Sequence, residues 1–399
     1  MEHVLSKTAS TTVPAGAIAR YVHAHEDAYI EFLTRLIRAE SPSTDPTAQA
    51  EAQHLLADAM ADLGFHVTHL PGTKTGGALY ARPARRSRGT PCQLLLGHSD
   101  TVWPLGTLNE MPVIRKENVL RGPGAFDMKA GLTSIVFALR TLYALDLSPA
   151  LCPLVLITTD EEIGSFESKP YIERLGRLSH RVFVAEPALG LEGNLKTARK
   201  GTGEMTLTVR PTDASGEDQV VLEMSNLVQR LHALADAERG ITINVGKIEG
   251  HRKDRPTGRA YGRMAVDVRV VTREDARIIG ETIRGIEATS PRVTVEVCGA
   301  VDRPPLERTS ENRYLWRQAQ ALGHHLGLEL NEARAGGASD GNLTSPYTAT
   351  LDGLGAVGDG AHAEHEFIYV DQTLDRCALL ASLLLAPSRE EGGVSQDTP

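Results

Sequence analysis

Apolar positions at Tyr21, Val22, Ile30, Leu33 and Ile37 recur at helical spacing and predict a helix over 18–37. It stops at Ser41-Pro42-Ser43, where the residue before proline is pushed out of the α region. A second helix is predicted over 48–63, closed by Gly64 as a left-handed cap. Short apolar runs then fall at 77–81, 93–96, 154–158 and 182–185, separated by helical patterns at 128–145 and 170–175. Uninterrupted apolar strands alternating with helices predict a mostly parallel sheet covered by helices on both faces.

After about Lys200 the pattern changes. Residues 204–209 alternate, 219–235 read as a helix, and 241–247 and 263–271 read as strands. A helix over 274–286 and a strand over 293–298 complete the order β-α-β-β-α-β, the split βαβ signature of a ferredoxin-like sandwich. Beyond Pro305 the first style returns, with a helix at 312–326, a strand at 348–351 and a helix at 374–385. The expected organisation is an α/β domain in two parts, 1–200 and 304–387, interrupted by an inserted α+β domain at 201–303. Residues 388–399 read as a disordered tail.

Charge narrows the partners. Lys plus Arg number 42 against 51 Asp plus Glu, a formal −9 spread along 399 residues. A general nucleic-acid binder needs a cationic footprint, so that class is set aside. No apolar run approaches the 18 or more residues of a membrane span, and the first residues show no apolar core of a signal peptide. Cys92, Cys152, Cys298 and Cys377 lie far apart in sequence, as in a reducing compartment, and the cytoplasm is the expected location.

Chemistry gathers after the strands. The run 94–96 leads to His98 and Asp100 on alternate positions, hence on one face, and α/β sheets hold ligands beyond strand ends. A satisfied loop histidine is the plain alternative for His98. Asp127 stands where a glycine-rich loop enters a helix; a simple N-cap would also account for it. Asp160, Glu161 and Glu162 directly follow the run 154–158. Three like charges raise one another's pKa, a conflict that a cation or a working general base resolves. Glu186 ends the run 182–185, and His362 comes from the loop 358–366. Imidazoles mixed with carboxylates, without cysteine, suit zinc, or manganese or cobalt, in a catalytic rather than a structural site. One bridging acid with two ligands on each side would make a two-metal centre.

These residues also carry a resemblance. The motifs GHSDTV, GAFDMKAG, TTDEEIGS, VAEP, GGASDGN and GAHAEHE resemble, in order and over nearly the whole chain, the co-catalytic zinc metallopeptidases. That family includes glutamate carboxypeptidase, acetylornithine and succinyl-diaminopimelate deacylases, and aminoacylases; the glutamate carboxypeptidase branch looks nearest. The resemblance implies two divalent ions, Zn2+ first and Co2+ or Mn2+ as alternatives. His98 and Glu186 would serve one ion, Glu162 and His362 the other, and Asp127 both. Asp100 would orient His98, and Glu161 would act as general base on a water held between the ions. Arg269 and Arg334 match positions that hold a substrate carboxylate, and Gly336 and Gly337 would let the backbone approach the ligand. The inserted domain would be the lid and the homodimer contact, and the substrate a small peptide or N-acyl amino acid.

Two family features are absent. Residues 209–218 lack the lid histidine, and Arg255-Pro256-Thr257-Gly258-Arg259 stands where an Asn motif is expected. Either His251, Arg252 or Arg259 substitutes, or the substrate is unusual, or the chain is a weak or non-hydrolytic relative. An N-acyl amino-acid deacylase is the alternative within the same chemistry.

Overall fold

The structure is a computed structural model that describes residues 13–87, 89–251 and 261–388. Packing divides the chain into two compact units. One runs to Leu195 and takes in Tyr314–Glu332 and everything from Leu351; the other comprises Lys196–Arg313 and Ala333–Thr350.

The chain opens with α1 (Ala15–Ala24), α2 (Glu26–Arg38) and α3 (Gln49–Asp62). The single helix expected over 18–37 is therefore two. His25 breaks it: its Nδ1–H donates to the Tyr21 carbonyl at 2.8 Å, and its own main-chain N–H turns to Val22 O at 3.0 Å. Gly64 follows α3 at φ 76°, as a left-handed cap requires. Strands β1 (Phe65–Leu70), β2 (Ala78–Pro83) and β3 (Cys92–His98) precede the short β4 (Ile114–Lys116) and β5 (Val119–Arg121). Then come α4 (Ala130–Ala144), β6 (Cys152–Thr158), α5 (Lys169–Leu178) and β7 (Arg181–Val184). The inserted part adds β8 (Leu195–Arg199), β9 (Gly201–Pro211), α6 (Glu217–His232), β10 (Thr242–His251), β11 (Tyr261–Val270), α7 (Arg273–Arg284) and β12 (Val293–Arg303). The last segment holds α8 (Ser310–His325), β13 (Glu332–Ala335), α9 (Gly341–Thr344), β14 (Ala349–Leu351), β15 (Gly358–Asp359), β16 (Phe367–Tyr369) and α10 (Val370–Leu385).

The main sheet has the order β1-β2-β6-β3-β7-β14. It corrects the mostly parallel expectation: β3 runs parallel to β6 and β7, but β2 is antiparallel to both β1 and β6. The link from β1 to β2 is too short for a crossover, so a hairpin is the available connection. All seven residues of β3 are buried, which is why this strand reads as one apolar run. Cys92 and Cys152, distant in sequence, are register partners across β3 and β6, and both thiols are free.

In the second unit, β9, α6, β10, β11, α7 and β12 follow the expected β-α-β-β-α-β order. They build an antiparallel sheet in the order β10-β11-β9-β12. Met205, Leu207, Val209, Val266 and Val268 point to one face, where Val220, Met224, Leu227, Ile279 and Ile283 bury them. Glu204, Arg210 and Arg263 occupy the opposite, exposed face, the alternation of a sheet covered on one side. Among the described residues no helix is long and apolar enough to cross a membrane.

Candidate metal centre

Three neighbouring parallel strands end at one edge of the main sheet. The end of β3 carries His98 and, two residues on, Asp100. A one-turn 3-10 helix, Glu161–Ile163, follows β6, and Glu186 follows β7. Asp127 sits in the irregular turn Ala125–Lys129 ahead of α4, with φ −114° and ψ 103°. The N-cap position of α4 falls to Lys129, two residues further on, so the N-cap account of Asp127 fails. Gly131 lets α4 approach this edge: a Cβ there would lie 1.9 Å from the Ala185 carbonyl, one residue from Glu186. His362 arrives from the β15–β16 connection at φ 62°, a left-handed conformation uncommon outside glycine.

The structure brings these side chains together. His98 Nε2 lies 3.3 Å from Asp127 Oδ1 and 3.4 Å from Glu186 Oε1. His362 Nε2 lies 3.4 Å from Asp127 Oδ2 and 3.0 Å from Glu162 Oε2. The Asp127 carboxylate thus presents one oxygen to each imidazole. Ligand atoms of His98, Asp127 and Glu162 fall within 4.8 Å of one another, and so do those of His98, Glu161 and Glu186.

Asp100 is fully buried beneath this cluster. Its main-chain carbonyl lies 3.0 Å from His98 Nδ1, nearer than its carboxylate at 3.4 Å. The carboxylate accepts from Ser43 Oγ at 2.7 Å and from the N–H groups of Glu161 and Glu162 at 3.3 and 3.2 Å. It therefore fixes the acidic turn as well as facing the imidazole. Ser43 carries no sequence signal for this contact.

Acid outnumbers base here, with Asp100, Asp127, Glu161, Glu162 and Glu186 against His98 and His362. Burial works against a charged His98, yet Asp100, Asp127 and Glu186 outweigh it and raise its pKa well above the usual imidazole value. Asp127 and Glu162 likewise hold His362 up to about 10. Burial alone would raise the Asp127 carboxyl, but His362 and His98 draw it well below the usual range. Burial prevails at Glu162 and raises its pKa.

A divalent cation fits this donor set. His98 Nε2 and Asp127 Oδ1 are buried without a hydrogen-bond partner, although such groups are normally satisfied. Two ligands at about 2.0–2.1 Å from a tetrahedral ion stand about 3.3–3.4 Å apart, close to the His98–Asp127 and His98–Glu186 separations. Two ligand groups sharing His98 therefore form a candidate dinuclear divalent-metal site.

Sequence reasoning passed over Glu366 and Lys129. Glu366 is buried in the same unit, bonded to the main chain around Asp127. Burial pushes it up to about 7 against the N–H groups of Asp127 and Gly124 and the indole of Trp103. Lys129 is 1 % exposed, donates to Ala39 O at 2.8 Å and is pulled down to about 7 by burial. The remaining sequence candidates belong to the second unit. Arg269 is exposed, bound to Asp267 at 3.1 Å and to Gly336 O at 3.4 Å. Arg334 is exposed on β13. A Cβ at Gly336 or Gly337 would meet nothing within 4 Å, so the folded chain itself does not demand glycine there. Buried Arg199 holds this loop through Gly337 O and Ala338 O at 3.4 and 3.2 Å. Of the lid candidates, Arg252, Arg259 and the His251 side chain lie outside the described residues, as does the tail beyond Ser388.

An α/β unit with clustered imidazoles and carboxylates at its strand ends, plus an inserted α+β unit, defines a metal-dependent hydrolase architecture. The chain belongs to Peptidase family M20/M25/M40, whose signature matches residues 94–386, and is a metallohydrolase acting on C–N bonds. It is 26% identical to carboxypeptidase G2 of Pseudomonas sp. (strain RS-16) over 379 residues, 90% of this chain and 89% of that one. It is also 26% identical to succinyl-diaminopimelate desuccinylase of Stenotrophomonas maltophilia over 360 residues, 83% of this chain and 92% of that one. Among solved structures, aminopeptidase PepT of Bacillus cereus superposes with a TM-score of 0.71 at 18% identity, covering 90% of this chain and 98% of that one.

Proposed function

We propose that the protein is a dinuclear zinc hydrolase of the carboxypeptidase type, releasing a C-terminal, glutamate-like residue from a small peptide or N-acyl amino acid. The observation that carries this reading is the Asp127 carboxylate, with one oxygen 3.3 Å from His98 and the other 3.4 Å from His362. In this reading His98 and Glu186 hold one ion, Glu162 and His362 the other, and Asp127 both. Zinc suits mixed imidazole and carboxylate donors, with Co2+ or Mn2+ as substitutes. When bound, such ions supply Lewis acidity and bring the pKa of water near neutrality.

The chain's own groups do the rest. Glu161 takes the proton of the attacking water and passes it to the leaving amine, a general acid–base role. Asp100 holds both His98 and the turn carrying Glu161. Arg269 and Arg334 recognise the substrate's carboxylate, a task for which a guanidinium fork is suited. The carboxypeptidase likeness extends over 90% of the chain and supports the carboxypeptidase assignment. The desuccinylase likeness at the same identity favours an N-acyl amino-acid deacylase as the second reading. The reading also includes a cytoplasmic homodimer formed through the inserted unit. Val221 and Leu222 on α6, 78% and 56% exposed, give that unit an apolar surface, and light scattering in solution tests the assembly.

Metal analysis of the purified protein, followed by amine release from C-terminal dipeptides and from N-acyl amino acids, tests the function. Two ions per chain and turnover of the dipeptides are expected; turnover confined to N-acyl amino acids selects the second reading. A metal-loaded protein inert toward both panels overturns the proposal.

A further inference from the structure

Glu366 is a buried acid, 1 % exposed, with an unusual set of partners. Its Oε1 accepts from the N–H groups of Phe126 and Asp127 at 2.9 and 3.0 Å. Its Oε2 accepts from the N–H of Gly124 at 2.8 Å and from the Trp103 indole at 3.0 Å. Each oxygen thus receives two donors, and no donor faces another.

Three of those donors belong to the turn that delivers Asp127. The turn is irregular at Asp127 and Met128, and a main-chain bond from Lys129 N–H to Gly124 O at 3.0 Å spans it. Glu366 is also four residues from His362, within the same β15–β16 connection. One carboxylate therefore ties the segment of Asp127 to the segment of His362, although more than two hundred residues separate them in sequence. The fourth donor, Trp103, comes from the loop that follows His98 and Asp100. All three loops meet on this one side chain.

We infer that Glu366 is a positioning residue for the metal centre: by gathering the Gly124, Phe126, Asp127 and Trp103 donors it sets the Asp127 carboxylate between His98 and His362. This inference rests on the dinuclear reading above. The need for a carboxylate follows from the donor count. A glutamine would keep the shape but turn an NH2 group toward two N–H donors, whichever way its amide is flipped. Two hydrogen bonds would be lost and two donor pairs opposed. Groups that orient ligands typically carry about 10–100-fold in metal affinity.

The test is metal binding to the full chain, read by zinc titration calorimetry and by the electronic spectrum of the Co2+-loaded protein. Glu366→Gln is expected to lower affinity by about 10–100-fold and to alter the Co2+ spectrum, while far-ultraviolet circular dichroism stays that of the parent. A role limited to holding the fold together would lower the melting temperature and leave the spectrum of the loaded protein unchanged. Trp103→Phe removes only the indole donor and is expected to shift affinity in the same direction by a smaller factor. Should Glu366→Gln fail to fold, Trp103→Phe decides the matter, and parental affinity and spectrum in it overturn the inference. Parental affinity and spectrum in a folded Glu366→Gln overturn it too, with the dinuclear reading intact. A parent protein that binds no divalent ion overturns both.

Discussion

Glu161 and Glu162 are adjacent in sequence but differ in surroundings. Glu162 meets His362 at 3.0 Å, whereas Glu161 groups with His98 and Glu186. If Glu161 moves protons and Glu162 holds metal, substituting each by glutamine has separable effects. Glu161→Gln is expected to keep both ions and lose about 10²–10⁴ in kcat. Glu162→Gln should lose metal as well as turnover. Elemental analysis beside the rate separates the roles, and a missing ion in Glu161→Gln would make Glu161 a ligand instead. The two acids were legible in sequence because three consecutive carboxylates after a buried strand demand an explanation. Glu366 was not, since its role depends on main-chain donors of a distant turn. An acid among Ala363, Glu364 and His365 looks like any solvated loop residue until the chain is folded.

Elements were legible where burial was complete. The apolar runs of β3, β6 and β7 announced themselves, and with them the edge where ligands collect. β1 was missed because only Phe65 of its six residues is buried; an edge strand of a hairpin carries little apolar signal. β7 begins at Arg181, one residue ahead of the apolar run 182–185, because an apolar pattern does not include a buried arginine. Its guanidinium in fact closes the end of α10, donating to Ala386 O at 2.7 Å and Leu383 O at 3.2 Å, and to Gln93 Oε1 at 2.9 Å. Arg181→Met would remove the guanidinium from Ala386 O and Gln93 Oε1, while Leu383 O keeps the N–H of Ala386 at 3.2 Å, and should cost on the order of 2–3 kcal/mol, measurable as a lower urea midpoint. Arg181→Lys should recover only part, because one ammonium cannot fork to several acceptors. A second tie joins the turn before β2 to the approach to α5. Glu167 accepts from the N–H groups of Thr73, Lys74 and Thr75 at 2.8, 3.1 and 3.0 Å. Burial opposes its charge, and the bonds from Thr73, Thr75 and Lys74 together overcome this, lowering its pKa from 4.5 to about 2. A depressed folded-state pKa stabilises fully above the unfolded value and loses its effect as pH falls toward the folded one. The melting temperature gap between parent and Glu167→Gln should therefore be constant above about pH 4.5 and close toward about pH 2. A gap that widens on acidification would contradict this tie.

At the scale of the whole molecule, the formal charge of −9 is partly organised. Five carboxylates converge with two imidazoles in one unit, and two divalent ions there would offset up to about four negative charges. All the proposed ligands, together with Asp100, Glu161 and Glu366, belong to the unit that carries the main sheet. Binding to the folded state alone stabilises it by about 4 kcal/mol when the free ligand is a thousandfold above its Kd. That stabilisation should appear where the ligands are attached. The segments that feed the site are the end of β3, the turn before α4, the loop after β6, the end of β7 and the β15–β16 connection. Hydrogen–deuterium exchange with and without a chelator should show these segments gaining protection in zinc. The antiparallel sheet of β9 to β12 should exchange alike in both conditions, because its apolar core is closed by α6 and α7 without any of those side chains. Uniform protection across both units would mean that metal acts on folding of the entire chain rather than on this cluster. Protection confined to the inserted unit would place the ions elsewhere and remove the basis for assigning His98, Asp127 and His362 as ligands.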